Sequence, residues 1–389
     1  MDLGQQPLAN ALPKETTIDT ASYPLELFLC ESCGLAQLMD VVDPEILFGS
    51  YLYVSGTSPS MRPHWQELAE DASKRVDLQP RDLVIEIASN DGTLLIEFQK
   101  LGATVLGIEP ASNIVEIARD RGVPTHHGFF DSKTAAELRG SKGTARVVTA
   151  NNVLAHVDNP LDFLTGAASL LDDDGILITE VPFARNLVRD VEYDTIYHEH
   201  LCYFSLSPLL TLFERAGLGV LQAIDRPVHG GSLRIIAKRG TGHSNEVVTR
   251  AKVEADTGLL KVGAWREFAR RVISNRDKMQ SILRGLLEDG AKVWGYGAPA
   301  KASTLLNYCN IGSDQIMATA DRSPLKIGRF IPGVNIPIRS VEELLEDTPD
   351  YVLILAWNLS TEIRAALSQL EKSGTRFIVP HPVPGELSS

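Results

Sequence analysis

The sequence predicts an α/β protein with two doubly wound regions that follow an irregular N-terminal segment. Four apolar runs between residues 71 and 242, DLVIEI, TVLGIE, RVVTAN and GILITEVP, are separated by helical patterns. A second series of the same kind, KVWGYGA, YVLILAW and RFIVP, lies between residues 243 and 389. Strands that alternate with helices of this length indicate parallel sheets covered by helices. The composition, 44% hydrophobic and 22% charged over 389 residues, is that of a globular protein.

Charge and hydropathy exclude several classes of protein. The net charge of -13 argues against binding to nucleic acid or to an anionic membrane, because both need a basic surface. No apolar run reaches the roughly 20 residues that span a bilayer, and the N-terminus lacks the pattern of a signal peptide. Four cysteines do not form a disulfide scaffold. We therefore expect a cytoplasmic protein whose partner is a small molecule.

The individual elements follow from local patterns. Residues 1–60 are predicted to be irregular, and an amphipathic helix is predicted over 63–76. In the central region LGVLQAIDRP and GSLRIIAKRG are joined by the short VHGG, which favours an antiparallel pair at the sheet edge. Residues 243–260 are polar and are predicted to be a linker. A long helix then ends at Gly290, and the strands after it indicate a smaller Rossmann-like domain.

A candidate cofactor site lies in the segment EIASNDGTLL. Glu86 ends the first strand, a tight turn follows, and Glu109 ends the next strand, where open α/β sheets bind small molecules. A carboxylate at this point suits the hydroxyls of a ribose, and no G-x-G-x-x-G is present to hold a pyrophosphate. The pattern favours S-adenosylmethionine (SAM), and the alternative is that these acids only face solvent. The predicted cofactor-binding residues are Glu86, Ala88, Asn90, Asp91, Gly92, Glu109, Asn151 and Asn152.

The segment CESCG carries a C-x-x-C pair, Cys30 and Cys33, which has the shape of one zinc knuckle. A structural zinc site needs four ligands, and no second C-x-x-C is present in the sequence. Cys202 and Cys309 stand singly in other predicted elements. The pair is therefore predicted to be half of a zinc site, with two unpaired thiols as the alternative.

A candidate catalytic cluster lies in TIYHEHLCYFS, directly after the fourth strand. Tyr197, Glu199 and His200 can together supply an acid, a base and a group that orients the base. Histidine is the usual proton acceptor near neutral pH. His156, at the end of NNVLAHV, is a second candidate for the same pocket. The alternative is a polar loop whose histidines bind the backbone.

Several motifs in the same order give the chain a resemblance that covers nearly its whole length. They are LGQQPLAN, CESCGLAQL, LFGSYLYVSGTSPS, EIASNDGTLL, YHEHLCYFS, HGGSLR, GYGAPAKASTLLN and DRSPLKIGRFIPG. The sequence resembles the sugar C-methyltransferases of the tetronitrose C-3'-methyltransferase type. Enzymes of this family act on deoxythymidine-diphosphate (dTDP)-linked 4-keto deoxysugars in antibiotic biosynthesis.

The resemblance implies three domains around a class I SAM-methyltransferase sheet. Residues 1–70 would form a zinc-type substrate domain, 71–242 the SAM-binding domain, and 243–389 a Rossmann-like domain that holds the nucleotide-sugar. The family pattern places a C-x-x-C before the first of these motifs, where this sequence starts with Met1. We therefore expect that the chain begins late and that its zinc site is incomplete.

The resemblance also implies roles for individual residues. His200 would remove a proton from C3 of the sugar, Glu199 and Tyr197 would position substrate and base, Tyr51 would contact the sugar, and His156 would lie near the carbonyl. The residues expected to bind the nucleotide-sugar are Tyr296, Lys301 and Ser232. Two alternatives stay open: an O- or N-methyltransferase, and a non-catalytic relative that binds a sugar nucleotide. The sequence does not determine the sugar, the carbon (C3 or C5) or the oligomeric state.

Overall fold

Three sheets, one for each predicted region, organise the computed structural model, which describes residues 1–16, 20–49, 51–57 and 61–387. The α/β class and the doubly wound central sheet are confirmed. No helix within these ranges is long and apolar enough to cross a membrane.

The N-terminal region forms a small antiparallel sheet, although the sequence patterns predicted it to be irregular. Its strands, in spatial order, are β1 (Asp2–Pro7), β2 (Ser22–Leu29), β3 (Ala36–Leu38) and β9 (Cys202–Tyr203). A short helix, α1 (Pro44–Phe48), follows β3. Leu25 and Leu27 are buried on one face of β2, whereas Phe28, directly after Leu27, is exposed on the other face. Because β9 comes from the central region, this sheet fastens the two regions together.

The central sheet has seven strands in the order β10-β11-β8-β7-β4-β5-β6. The strands are β4 (Leu83–Ile87), β5 (Thr104–Glu109), β6 (Thr125–His127), β7 (Ala145–Asn151), β8 (Leu171–Pro182), β10 (Leu218–Arg226) and β11 (Ser232–Arg239). The first five of these are parallel. β10 and β11 form an antiparallel pair at the edge, as predicted.

Helices cover both faces of the central sheet. They are α2 (Arg62–Val76), α3 (Thr93–Lys100), α4 (Ser112–Asp120), α5 (Ser132–Lys142), α6 (Pro160–Leu170) and α8 (Leu206–Arg215). A further helix, α7 (Ala184–Asp190), buries Ala184 and Leu187 in the core between the three regions. Ile85 and Val148 point into the core on one face, and Val84 and Val147 into the core on the other. Strands that are buried on both faces read as continuous apolar runs, which is why the sequence showed them clearly.

The segment predicted to be a linker contains a helix, α9 (Asn245–Asp256). The Ser244 side chain caps it by accepting a hydrogen bond from the Val247 amide. Val247 and Ala251 are buried in the core of the central domain. The segment was misread because few apolar residues mark its buried face.

The C-terminal region begins with the long helix α10 (Val262–Glu288), followed by Gly290 in the left-handed conformation (φ 74°), as predicted. Its sheet, in spatial order, is β14 (Ile338–Arg339), β13 (Thr319–Ala320), β12 (Val293–Tyr296), β15 (Tyr351–Ile354), β16 (Arg376–Val379) and β17 (Gly385–Glu386). All are parallel except β17. The helices are α11 (Ala300–Tyr308), α12 (Val341–Asp347), α13 (Ser360–Ala366) and α14 (Ser368–Lys372).

Candidate functional site

A cavity of about 860 Å³ lies at the carboxyl ends of the central parallel strands, where open α/β sheets bind their ligands. The N-terminal region contributes Tyr51 to its wall, the central region contributes Glu109 and His200, and the C-terminal region contributes Lys301 and Lys326. Three sequence-distant regions therefore meet in one continuous space.

The turn after β4 shapes one end of this cavity. Ala88 (φ 54°) and Asn90 (φ 49°) adopt left-handed conformations, which are strained for residues with a Cβ and cluster at functional sites. The Glu109 carboxylate accepts hydrogen bonds from the backbone N–H groups of Asn90 (2.9 Å) and Ala111 (3.0 Å). These contacts fix Glu109 against the turn at the edge of the cavity.

The acceptors at this end fit SAM. Within the described ranges, the Oε2 atom of Glu86 and the Oδ1 atom of Asn152 are buried without a hydrogen-bond partner. Burial, with Asp91 and Glu109 nearby, raises the pKa of Glu86 well above its usual value. Buried acceptors without partners call for donors from a ligand, and the ammonium and ribose hydroxyls of SAM are such donors. Glu86, Ala88, Asn151 and Asn152 all line the cavity.

Two predicted cofactor residues use their side chains for other contacts. The side-chain amide of Asn90 accepts a hydrogen bond from the Ser55 backbone N–H and donates one to the Tyr53 carbonyl oxygen. The Asp91 carboxylate accepts from Thr93 and pairs with Arg121. Gly92, the last residue of the turn, caps α3 in the left-handed conformation. Of these three residues, only Asn90 lines the cavity.

His200 lies deeper in the cavity, and both its ring nitrogens have partners. Nδ1 is 2.8 Å from the Thr195 carbonyl oxygen, and Nε2 is 3.0 Å from the Tyr197 hydroxyl. A carbonyl only accepts, so Nδ1 carries the hydrogen and Nε2 offers its lone pair to the tyrosine hydroxyl. Burial lowers the pKa of His200 to about 4, which keeps the ring neutral at pH 7.

His156 packs edge-on against His200, with ring centroids 4.7 Å apart. Burial, reinforced by His200, lowers the pKa of His156 well below its usual value. Its Nδ1 atom is buried and has no hydrogen-bond partner among the described residues. The cavity therefore contains two adjacent neutral imidazoles.

Glu199 and His198 have different surroundings from their neighbour His200. Glu199 accepts hydrogen bonds from the Asn10 amide (2.7 Å) and the Tyr51 hydroxyl (3.1 Å), and burial raises its pKa to about 7. His198 contacts the Pro24 carbonyl oxygen at 3.1 Å, on the N-terminal sheet. The Thr195 carbonyl, and not the Glu199 carboxylate, therefore fixes the tautomer of His200.

Lys301 and Lys326 bring positive charge to the C-terminal wall. The Nζ atom of Lys301 donates to Asn358 Oδ1 (2.5 Å) and lies 3.8 Å from the ring centroid of Trp357. Burial lowers the pKa of Lys301 to about 8. Lys326 donates to the Ala298 carbonyl (2.7 Å), and burial also lowers its pKa.

The other two predicted substrate residues lie behind the cavity wall. Tyr296 is on the same face of β12 as Trp294, and alternation along the strand directs both into the domain core. Ser232 is buried and donates to the Val228 carbonyl oxygen at 3.2 Å. The glycines beside them, Gly297 and Gly231, line the cavity instead.

Sequence reasoning missed three residues that shape the site. Asn10 and Lys326 lie in motifs that carried the resemblance, LGQQPLAN and DRSPLKIGRFIPG, so their motifs were a signal. Thr195 acts through its backbone carbonyl, so its side-chain type gave none.

Cys30 and Cys33 lie in the turn between β2 and β3, and the Gly34 amide bonds the Cys30 carbonyl at 2.8 Å. Hydrogen bonds from Cys33 and Ser32 lower the pKa of Cys30. Buried Cys202 lies on β9, which pairs with β3, so it is closer to this turn than the sequence suggested. The part of the chain that the structure describes contains no group of three or more metal ligands. The thiols present fit only half of a tetrahedral zinc site.

Three family models match successive parts of the chain. Residues 1–48 match a "Putative zinc binding domain", residues 61–223 a "Methyltransferase domain", and residues 227–382 a "C-methyltransferase C-terminal domain". Together they extend over all three sheets.

Similarity to a named C-methyltransferase extends over the full length of the chain. C-methyltransferase NovU of Streptomyces niveus is 36% identical over 394 residues, which cover 100% of this chain and 94% of the relative. A solved structure of magnesium protoporphyrin IX methyltransferase from Synechocystis PCC 6803 with bound SAM is 16% identical, covers 48% of this chain and 86% of that chain, and has a TM-score of 0.36. On the full-length match and the family models, the chain belongs to the C-methyltransferase family and is a SAM-dependent enzyme.

Proposed function

We propose that this enzyme methylates C3 of a dTDP-linked 4-keto deoxysugar, with His200 as the base. The observation that carries the proposal is the single cavity in which a SAM-type acceptor end, a neutral imidazole and two buried lysines meet. Each of these three features matches one requirement of the reaction.

The first requirement is a base, because a carbon next to a ketone reacts only after it loses a proton. The Tyr197 hydroxyl moves away from Nε2 of His200 so that the lone pair reaches the C–H bond. The released hydroxyl can then donate to the oxygen on which the enolate charge develops. The imidazolium that forms keeps its Nδ1–H bond to the Thr195 carbonyl.

The second requirement is an electrophile opposite the base. Bound SAM supplies an electrophilic methyl group, and Glu86 and Glu109 lie where they can hold its polar ends. The contribution of the protein is to position the enolate carbon and to exclude water.

The third requirement is a site for the nucleotide diphosphate. Lys301 and Lys326 place two ammonium groups in the cavity of a protein whose net charge is -13. Phosphate oxygens beside Lys301 would favour its charged form and offset the desolvation of the ammonium group. A phosphorylated substrate therefore fits this wall better than a neutral acceptor. Such a substrate would place the enzyme in deoxysugar biosynthesis for an antibiotic, as the resemblance implies.

Solvent exchange tests the proposal. In deuterated water, the wild-type enzyme should wash deuterium into C3 of a 4-keto dTDP-sugar and, with SAM, give a C-methylated product by mass and carbon NMR. His200→Asn should lower both exchange and product formation by about 10²- to 10⁴-fold, the usual contribution of a general base.

His198→Asn is the matched control, because His198 is two residues away and contacts the N-terminal sheet. This variant should keep both exchange and turnover. Unchanged exchange in His200→Asn would remove that residue from the role of base. A methyl group on oxygen or nitrogen of the product would favour the alternative methyltransferase.

A further inference from the structure

The segment Tyr51–Gly56, here called the strap, crosses the carboxyl ends of β4 and β5 beside the turn that follows β4. It comes from the N-terminal region, and side chains of the central domain hold its backbone. Only its end, from Ser55 onward, forms a 3₁₀ turn. The arrangement of the strap is therefore set by the side chains beneath it.

Asn113, in the first turn of α4, holds one end of the strap. Its Oδ1 atom accepts from the Tyr51 amide at 3.1 Å, and its Nδ2 atom donates to the Tyr51 carbonyl at 2.7 Å. One side chain thus fixes the peptide groups on both sides of Tyr51. Asn113 is four residues after Glu109. The connection between β5 and α4 therefore carries both the Glu109 carboxylate and the side chain that holds the strap.

Asn90 holds the other end in the same manner. Its Oδ1 atom accepts from the Ser55 amide at 2.8 Å, and its Nδ2 atom donates to the Tyr53 carbonyl at 3.1 Å. The Gly56 amide donates to Asp91 Oδ2 at 3.1 Å. A Cβ at position 56 would overlap the Asp91 carboxylate, so glycine permits this close approach.

The hydrogen bonds that Asn113 and Asn90 make to the strap determine where the phenol of Tyr51 lies. Its hydroxyl donates to Glu199 Oε2 at 3.1 Å, one residue from His200. The ring of Phe48 packs edge-on against both Tyr51 (5.8 Å) and His156 (5.7 Å). Through the strap, the turn after β4 is thus connected to the side chains around His200.

We propose that Asn113 is a positioning residue of the reaction, which acts by holding Tyr51 against Glu199 at the wall of the catalytic cavity. This inference rests on the proposed function, because it assumes that the reacting carbon lies beside His200. A shift of about 1 Å in a positioned group can lower turnover about 10²-fold. Loss of Asn113 should therefore lower kcat more than it weakens SAM binding.

A double-mutant cycle tests this role. Asn113→Ala and Tyr51→Phe should each lower kcat about 10- to 100-fold, and the double variant should be no slower than the slower single variant. KM for SAM should change less than about threefold. Asn113→Asp keeps the size and the acceptor but replaces the donor to the Tyr51 carbonyl, so it should be as slow as Asn113→Ala.

Glu116→Ala, on the exposed side of the same helix, is the control and should match the wild type. The role is overturned if Tyr51→Phe or Asn113→Asp is as fast as the wild type. It is also overturned if the two effects multiply, or if SAM affinity falls while kcat is unchanged. Wild-type enzyme that turns over no keto sugar would contradict the proposed function itself, which keeps the two failures distinct.

Discussion

At the scale of single residues, Glu199 couples the stability of the protein to pH. Burial raises the pKa of this carboxyl from 4.5 to about 7, although Asn10 and Tyr51 donate to it. The folded chain therefore holds the proton more tightly than the unfolded chain. The stabilisation is fully present below about pH 4.5 and is lost as the pH rises through 7.

Glu199→Gln should remove this dependence. The wild-type unfolding free energy, relative to that of the variant, should fall by about 3 kcal/mol between pH 4.5 and pH 8. Urea denaturation of both proteins at several pH values measures the difference. Parallel pH profiles for the two proteins would show that the carboxyl titrates normally.

The sequence indicated which segments form the candidate site but not which contact each of their side chains makes. The sequence predicted a site in TIYHEH because this segment follows the fourth strand, and Tyr197 and His200 line the same cavity as the turn after β4. The direction of each side chain was not readable. His198 and His200 are two residues apart, yet one contacts the N-terminal sheet and the other lines the cavity. Lys326 and Asn113 lie far along the chain from that motif, and only tertiary folding brings them to the site.

At the scale of elements, a buried ion-pair network holds α2 on the central sheet. Arg234 of β11 and Glu180 of β8 are fully buried, and Nε of Arg234 lies 2.6 Å from Oε1 of Glu180. From α2, His64 contacts Glu180 and Glu67 contacts Arg234, both at 2.8 Å. Burial acts to raise the pKa of Glu180, but His64 and Arg234 outweigh it and hold that pKa below its usual value.

Arg234→Met should destabilise the protein by about 3–5 kcal/mol, because it leaves the Glu180 charge buried with one of its two partners removed. The double variant Glu180→Gln, Arg234→Met should lose less, since no unpaired charge remains. Chemical denaturation of the single and double variants measures both values. A double variant that is less stable than Arg234→Met alone would contradict this explanation.

The same scale shows which elements the sequence could predict. β4, β7 and β8 were predicted because burial on both faces leaves an uninterrupted apolar run. β1 to β3 were missed because residues exposed on one face interrupt their apolar pattern. α9 was missed because Val247 and Ala251 are almost its whole buried face. Elements that depend on neighbours for their stability leave the weakest patterns.

At the scale of the whole molecule, one hydrophobic core is built from all three regions. Leu25 of β2, Ile196 of the loop before β9, and Leu305 and Leu353 of the C-terminal region are buried in the same cluster. A second C-terminal cluster, which contains Leu344, is formed by residues after 293 within the part of the chain described. The first cluster lies between the regions, and the second lies inside one of them.

Two matched substitutions separate the roles of these clusters. Leu305 and Leu344 are both fully buried, so each change to alanine should cost about 2–5 kcal/mol. Leu305→Ala should lower hydrogen-exchange protection in β1 and β2 together with that in β12 and β15, because α11 packs directly against β1. Leu344→Ala should lower protection mainly in β12 to β16. If β1 and β2 keep full protection in Leu305→Ala, the N-terminal sheet is stable without the C-terminal domain. The cavity walls would then open independently, and not in one cooperative transition.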